Sequence, residues 1–152
     1  MIRDLAPHDL DAVLALNNEH AAEVNALTAD GLARLIELAA YARVVEPGIG
    51  FLVALDEKTP EHGPNHGWFL ARRPAFVYID RVVVVAVARG RGLARALYDD
   101  LAVAAAGRPL CCEVNVDPPN PGSLAFHARL GFRACGEAVD PRNGKRVRYL
   151  ER

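Results

Sequence analysis

No run of apolar residues approaches the ~20 that a membrane-spanning helix requires. Met1-Ile2-Arg3-Asp4 leads into acids rather than an apolar leader segment, so no secretory signal is expected. Cysteine is scarce. Cys111, Cys112 and Cys135 are odd in number, form no Cys-x-x-Cys pair, and read as small buried thiols of a reducing cytoplasm. An excess of one charge is also lacking: the formal net charge of −1 argues against a general nucleic-acid binder, with the arginines concentrated locally instead. Neither an internal repeat nor a low-complexity tract is present. With 51% hydrophobic and 24% charged residues, the composition is that of a globular chain. Its 152 residues suit one domain, 1–152, with a real core.

The stretch from Phe76 to Leu101 organises the rest. Residues 77–85 are rich in β-branched side chains, as in a central strand covered on both faces. Leu93, Ala96, Leu97, Leu101 and Ala104 then recur at helical spacing. Between them lies Arg89-Gly90-Arg91-Gly92-Leu93-Ala94, with Arg95 following. Helix starts favour acids, because their first N–H groups lack partners and carry the positive end of the dipole. Arginines here make sense if a polyanion sits at the turn and the glycines let backbone amides approach phosphate oxygens. The alternative is a solvated, arginine-rich loop.

The P-loop pattern is absent, and Gly90-x-Gly92 fails as a dinucleotide fingerprint because Arg95 stands where its third glycine would be. Arg89-x-x-Gly92-x-Ala94 after a hydrophobic strand resembles the [Q/R]-x-x-G-x-[G/A] pyrophosphate loop of the GNAT superfamily of acyl-CoA-dependent N-acyltransferases.

The remaining pattern fits that resemblance. Ile2–Leu5 is a strand, Pro7 opens a helix carrying Leu10, Val13, Leu14 and Leu16, and a polar stretch follows over 17–25. Thr28 caps a second helix with Leu32, Leu35, Ile36 and Ala39 on one face. Residues 43–46 and 50–55 form a hairpin around Pro47-Gly48. Residues 56–75 read as a long irregular segment holding His62, His66, Trp68 and Phe69. Its prolines and glycines disfavour a helix, and the two histidines lack a third ligand, so no metal is expected. Trp68 and Phe69 either line a substrate pocket or anchor the loop to the core. After Gly107-Arg108-Pro109 come a strand over 110–116, a short helix from Asn120-Pro121 to Gly131, and a hairpin of 133–139 with 146–151. The expected fold is α/β with an α+β mixed sheet, in the order β-α-α-β-β-β-α-β-α-β-β. Its terminal antiparallel hairpin disfavours a dinucleotide-binding redox domain.

A second motif strengthens the likeness: Asn120-x-x-Ser123, then Phe126-His127-x-x-x-Gly131-Phe132. The resemblance implies a GNAT-like fold in which a central parallel strand pair splays apart. It implies acetyl-CoA as co-substrate, bound by Arg89, Gly90, Arg91, Gly92, Leu93, Ala94 and Arg95, by the backbone of Val82, Val83 and Val84, and by Asn120 and Ser123. In the family a tyrosine near the thioester sulfur usually occupies the position of His127, so His127 becomes either the leaving-group acid or a structural helix histidine.

Strand alternation puts Tyr78, Asp80 and Val82 on one face, and Glu113 and Asn115 on one face of the neighbouring strand. An acid on an apolar strand is costly unless paired or functional. Asp80 could take the amine proton or pair with an arginine; Glu113 could bind the substrate ammonium; Tyr78 and Asn115 would lie beside the acceptor. The expected activity is acetyl transfer to a primary amine of a small molecule or peptide, in the cytoplasm, without nucleic acid or membrane partners. A homodimer stays open. The competing expectation is a non-catalytic acyl-CoA-binding sensor or interaction module.

Overall fold

The computed structural model describes residues 1–152. One mixed sheet contains β1 (Ile2–Asp4), β2 (Tyr41–Val45), β3 (Gly50–Asp56), β4 (Val77–Val84), β5 (Leu110–Asp117), β6 (Arg133–Val139) and β7 (Arg146–Glu151). Their spatial order is β1-β2-β3-β4-β5-β7-β6. Helices α1 (Leu10–Glu19), α2 (Ala21–Val24), α3 (Ala29–Leu38), α4 (Gly63–Leu70), α5 (Leu93–Ala105) and α6 (Pro121–Arg129) connect them. No helix is long and apolar enough to cross a membrane.

Alternation along the strands feeds a separate core on each face of the sheet. Phe51, Val53, Leu55, Tyr78 and Tyr149 pack on one side with Leu16 of α1, Leu32 and Leu35 of α3 and Phe69 of α4. Leu52, Ala54, Ile79, Val114 and Leu150 pack on the other with Leu97, Tyr98 and Leu101 of α5 and with Phe132. Each fully buried Leu or Phe contributes roughly 1.5–3 kcal/mol, so the helices are held mainly by these faces. Thr28 caps α3 by accepting from the Gly31 N–H at 2.9 Å.

Every strand pairing is antiparallel except β4–β5, which is parallel and limited to Val77 with Leu110 and Tyr78 with Cys111. Beyond Tyr78 the two strands part, as the family likeness implied. A bulge lies just there. Val53 pairs with Arg81 and Ala54 with Ile79, which leaves Asp80 as the extra residue of β4. The extra residue resets the alternation, so Tyr78 and Val83 join one core while Ile79 and Val82 pack towards the other. Tyr78 and Val82 therefore do not share a face, contrary to simple alternation.

Residues 56–75 also depart from expectation, because α4 forms within them. Pro64 stands in the first turn, where its missing N–H costs nothing, and Gly63 enters with φ +81°. The helix is held by burial: Phe69 and His66 have no exposed surface. His66 is spent internally, accepting at Nδ1 from the His62 N–H (3.1 Å) while Nε2 lies 3.1 Å from the Asp56 carbonyl.

Candidate active site

Two features of β4 and α5 create the site. The first is the turn between them. Gly90 and Gly92 have φ of +81° and +75°, and a Cβ on either would meet nothing within 4 Å. Gly92 occupies the cap position of α5 without a side-chain cap, and the N–H groups of Gly90 through Arg95 donate to no protein acceptor. A row of free amides at a helix start flanked by Arg89 and Arg95 has the chemistry to cradle an anion. The acid that might have balanced α5 serves elsewhere: Asp100 accepts from Tyr41 Oη (2.6 Å) and Arg43 Nη1 (3.0 Å), tying the helix to β2.

The second feature is the splayed edge of β4. The Val85 N–H donates to the Ile49 carbonyl on the β3 side at 2.8 Å. By alternation the main-chain groups of Val84 and Val82 face the gap left by β5. Arg89 Nε reaches the Val84 carbonyl at 3.4 Å.

Three cavities follow this path. One of about 390 Å³ is lined by Arg89, Gly90, Gly92, Leu93, Ala94 and Arg95. It shares Val84, Arg89, Ala94 and Phe126 with a second of about 480 Å³, also lined by Val82 and Val83. The second shares Glu23, Val24 and Val82 with a third of about 370 Å³. That third chamber brings together Tyr78, Asp80, Glu113, Asn115, Asn120, Ser123 and His127. Arg91 lines none of the three.

Glu113 is set into this last chamber by neutral donors alone. Tyr78 Oη donates to Oε2 at 2.7 Å and Asn65 Nδ2 to Oε1 at 3.1 Å, while Tyr149 Oη donates to Asn65 Oδ1 at 2.9 Å. No cation offsets the loss of water, so burial pushes its carboxyl up to about 7. Burial raises the Tyr78 hydroxyl well above its ordinary value, and the Glu113 charge adds to this. Asp80 has the opposite situation. Its Oδ2 lies 2.8 Å from Arg81 Nε, and Arg81 Nη1 donates to Asn17 Oδ1 at 2.8 Å and to the Asn25 carbonyl at 3.3 Å. Of these two acids on the parting strands, Asp80 has a cationic partner and Glu113 has none.

His127 is 6% exposed with both ring nitrogens engaged. Nδ1 lies 2.7 Å from the Ser123 carbonyl, which can only accept, so Nδ1 carries the hydrogen. Nε2 then accepts from Tyr98 Oη at 2.8 Å. Burial lowers the imidazole pKa, and no N–H is left for a leaving group. Asn120 caps α6 by accepting from the Ser123 N–H at 3.2 Å, and its own N–H donates to the Asn115 carbonyl at 3.0 Å.

Trp68 and Phe69 do not reach the chamber. Phe69 is core, and Trp68 stacks on Tyr149 at 4.2 Å between centroids, with Arg72 over its ring at 4.2 Å. Gly136 on β6 leaves room for the indole, which a Cβ there would strike. The chamber instead gains Asn65, Tyr98 and Arg142, which sequence patterns did not single out. Tyr98 sits beside Leu97 on the buried stripe of α5 and could have been found there. Asn65 carries no sequence signal, because the prolines and glycines around it disfavour the helix that positions it.

Residues 32–132 match the family model described as the acetyltransferase (GNAT) family. The chain belongs to this family. Comparison with curated proteins returns no match. Among solved structures, Arabidopsis thaliana NAA60 in complex with acetyl-CoA is similar at TM-score 0.75 and 16% identity, covering 100% of this chain and 97% of that one. Ard1 from Thermoplasma volcanium is similar at 0.77 and 18%, covering 100% and 95%. The ribosomal-protein-alanine N-acetyltransferase from Brucella melitensis is similar at 0.75 and 23%, covering 100% and 98%. At such identities the likeness establishes the shared GNAT fold. The anion cradle, splayed strands and chamber described above are the features of this chain that its family membership draws together.

Proposed function

We propose that this GNAT protein transfers an acetyl group from acetyl-CoA to a primary amine of a small molecule or peptide, by direct attack in a ternary complex. The observation that carries the reading is a channel with free amides and arginines at one end and, at the other, a carboxylate hydrogen-bonded only to neutral donors. The CoA pyrophosphate would take the N–H groups of Gly90 through Arg95, with Arg89 and Arg95 beside it. The pantetheine would run along the Val82–Val84 edge, where unpaired main-chain groups can bond its amides. Asn120 and Ser123 border the chamber where the thioester arrives.

Glu113 is the base. An ammonium has no lone pair for attack, and a carboxylate tuned near neutrality can both hold it and accept its proton. Tyr78 and Asn65 fix the carboxylate oxygens; Asp80 and Arg81 form a rigid charged pair at the bulge. As nitrogen bonds to the acetyl carbon, the C–S bond breaks and CoA leaves as thiolate; the nitrogen gives up its second proton to solvent in the channel, and the thiolate takes one from there. His127 holds the Tyr98 hydroxyl and shapes the wall rather than supplying that proton.

The decisive experiment is thiol release from acetyl-CoA across a panel of primary amines. Amine-dependent, stoichiometric release supports transfer. A second reading, a non-catalytic acyl-CoA-binding module, is favoured by His127, where the family's usual tyrosine acid is replaced by a ring without a free N–H. Tight acetyl-CoA binding with no release for any amine would establish that reading instead.

A further inference from the structure

The chamber has a second electrostatic pole. Its outer wall is built where the Glu23–Asn25 segment, the entry to α4 and the β6–β7 turn converge, and the turn contributes Arg142. Arg142 is held as a fixed fork. Its backbone N–H and Nε donate to Asp140 Oδ1 at 2.9 and 3.1 Å, and Nη2 donates to Oδ2 at 2.9 Å. Asp140 is 4% exposed, so a buried acid sets the plane of the guanidinium.

Nη1 is different, because it donates to no protein acceptor. It lies over Gly63, where a Cβ would come within 3.2 Å of it and where φ is +81°. The side chain is 53% exposed and borders the same chamber as Glu113. Arg81, the other arginine of the chamber, is only 9% exposed and bonded to Asp80, Asn17 and Asn25.

Building on the transfer reading, we infer that the acceptor is a small amine that also carries a carboxylate, with its ammonium at Glu113 and its carboxylate at the free edge of Arg142. A guanidinium with one edge spent on a structural acid still offers directional, charge-assisted donors at the other. A second ammonium in the acceptor would be repelled there. A peptide amino terminus offers a neutral amide carbonyl where the free amino acid has its carboxylate, so it can accept from Nη1 but without the charge-assisted bond.

The test pairs each amine with and without its carboxylate: α- and ω-amino acids, their amides, their decarboxylated amines, and short peptides. With acetyl-CoA saturating, kcat/KM for the carboxylate form should exceed that of its amide by about tenfold or more, the worth of one charge-assisted hydrogen bond. In Arg142→Gln this ratio should collapse to about one. Arg142→Lys, which keeps the charge beside Asp140 and loses the fork, should lower it too, and melting curves check that both variants fold. A wild-type ratio near one, or a preference that survives Arg142→Gln, overturns the inference. If no amine releases thiol, the transfer reading falls, and calorimetry of the same pairs on CoA-loaded protein then decides: tighter carboxylate binding sustains the inference and equal binding overturns it.

Discussion

Tyr78 Oη lies 2.7 Å from Glu113 Oε2, across the parallel strands β4 and β5 at the point where they begin to part. The contact puts a half-buried carboxylate at the mouth of the gap with only neutral groups hydrogen-bonded to it. Its chemistry follows from that solvation.

Glu113→Gln should lower turnover by about 10²–10⁴-fold, the usual range for a lost general base. In the wild type, kcat/KM should rise with pH through about 7, as the carboxyl ionises. The rise should be missing from the residual activity of the variant. A wild-type profile flat from pH 5 to 8 would remove Glu113 from the proton path.

The same group makes stability depend on pH. Its folded value of about 7 lies above its ordinary 4.5, so the native state keeps a proton that the unfolded chain has released. Stability should therefore be greatest below about 4.5 for this group, and fall as pH rises through about 7. The change is on the order of 3 kcal/mol. Denaturant titrations of wild type and Glu113→Gln at several pH values should show this slope only in the wild type.

Gly92→Glu should abolish acetyl-CoA binding measured by calorimetry. The substitution sets a carboxylate beside the free amides, where each lost phosphate contact is worth roughly 1.5–3 kcal/mol. A side chain at φ +75° also costs roughly 1–2 kcal/mol. The far-UV spectrum should stay that of the wild type, and unchanged affinity would refute the cradle.

Tyr98→Phe leaves His127 Nε2 a buried acceptor without a donor, at a cost of about 1–3 kcal/mol. Melting temperature should drop while acetyl-CoA affinity stays within a few-fold. His127→Phe strands the Tyr98 hydroxyl in the same way, and its turnover per folded enzyme should fall less than tenfold. A loss near 10³-fold would return the acid role to His127.

Trp68→Ala removes a half-buried ring stacked on Tyr149 and should destabilise the protein by about 1–3 kcal/mol. The KM for the amine, measured per folded enzyme, should not move. Gly136→Val, which drives a side chain into the indole, should reproduce the instability and shift tryptophan fluorescence. A raised KM without instability would place Trp68 at the acceptor.

Much of this molecule was legible from local pattern. The β-branched run of 77–85, the periodic apolar residues of α3 and α5, and the Asn120-Pro121 start of α6 each report a preference written within a few residues. So does the Arg89–Arg95 turn, because left-handed glycines before a helix with no acidic first turn mean free amides wherever the chain is folded. Helix α4 was illegible for the converse reason. Its propensity is poor, and it exists because Phe69 and His66 are buried beneath it.

The sequence by itself determined the order of the strands, helices α1, α3, α5 and α6, and the glycine turn before α5, because these depend on neighbours in the chain; the splay was implied by family likeness. The tertiary structure decided the hydrogen-bond partners and solvation of the candidate groups. Only the bulge at Asp80 put Tyr78 and Val82 on opposite faces and joined Asp80 to Arg81. Residues far apart in sequence (Tyr78, Asn65 and Glu113) left one carboxylate half-buried with only neutral hydrogen-bond partners, and Tyr98 engaged the second ring nitrogen of His127. Protonation and hydrogen-bond partnership depend on what surrounds a group in space, and no window of sequence holds that information.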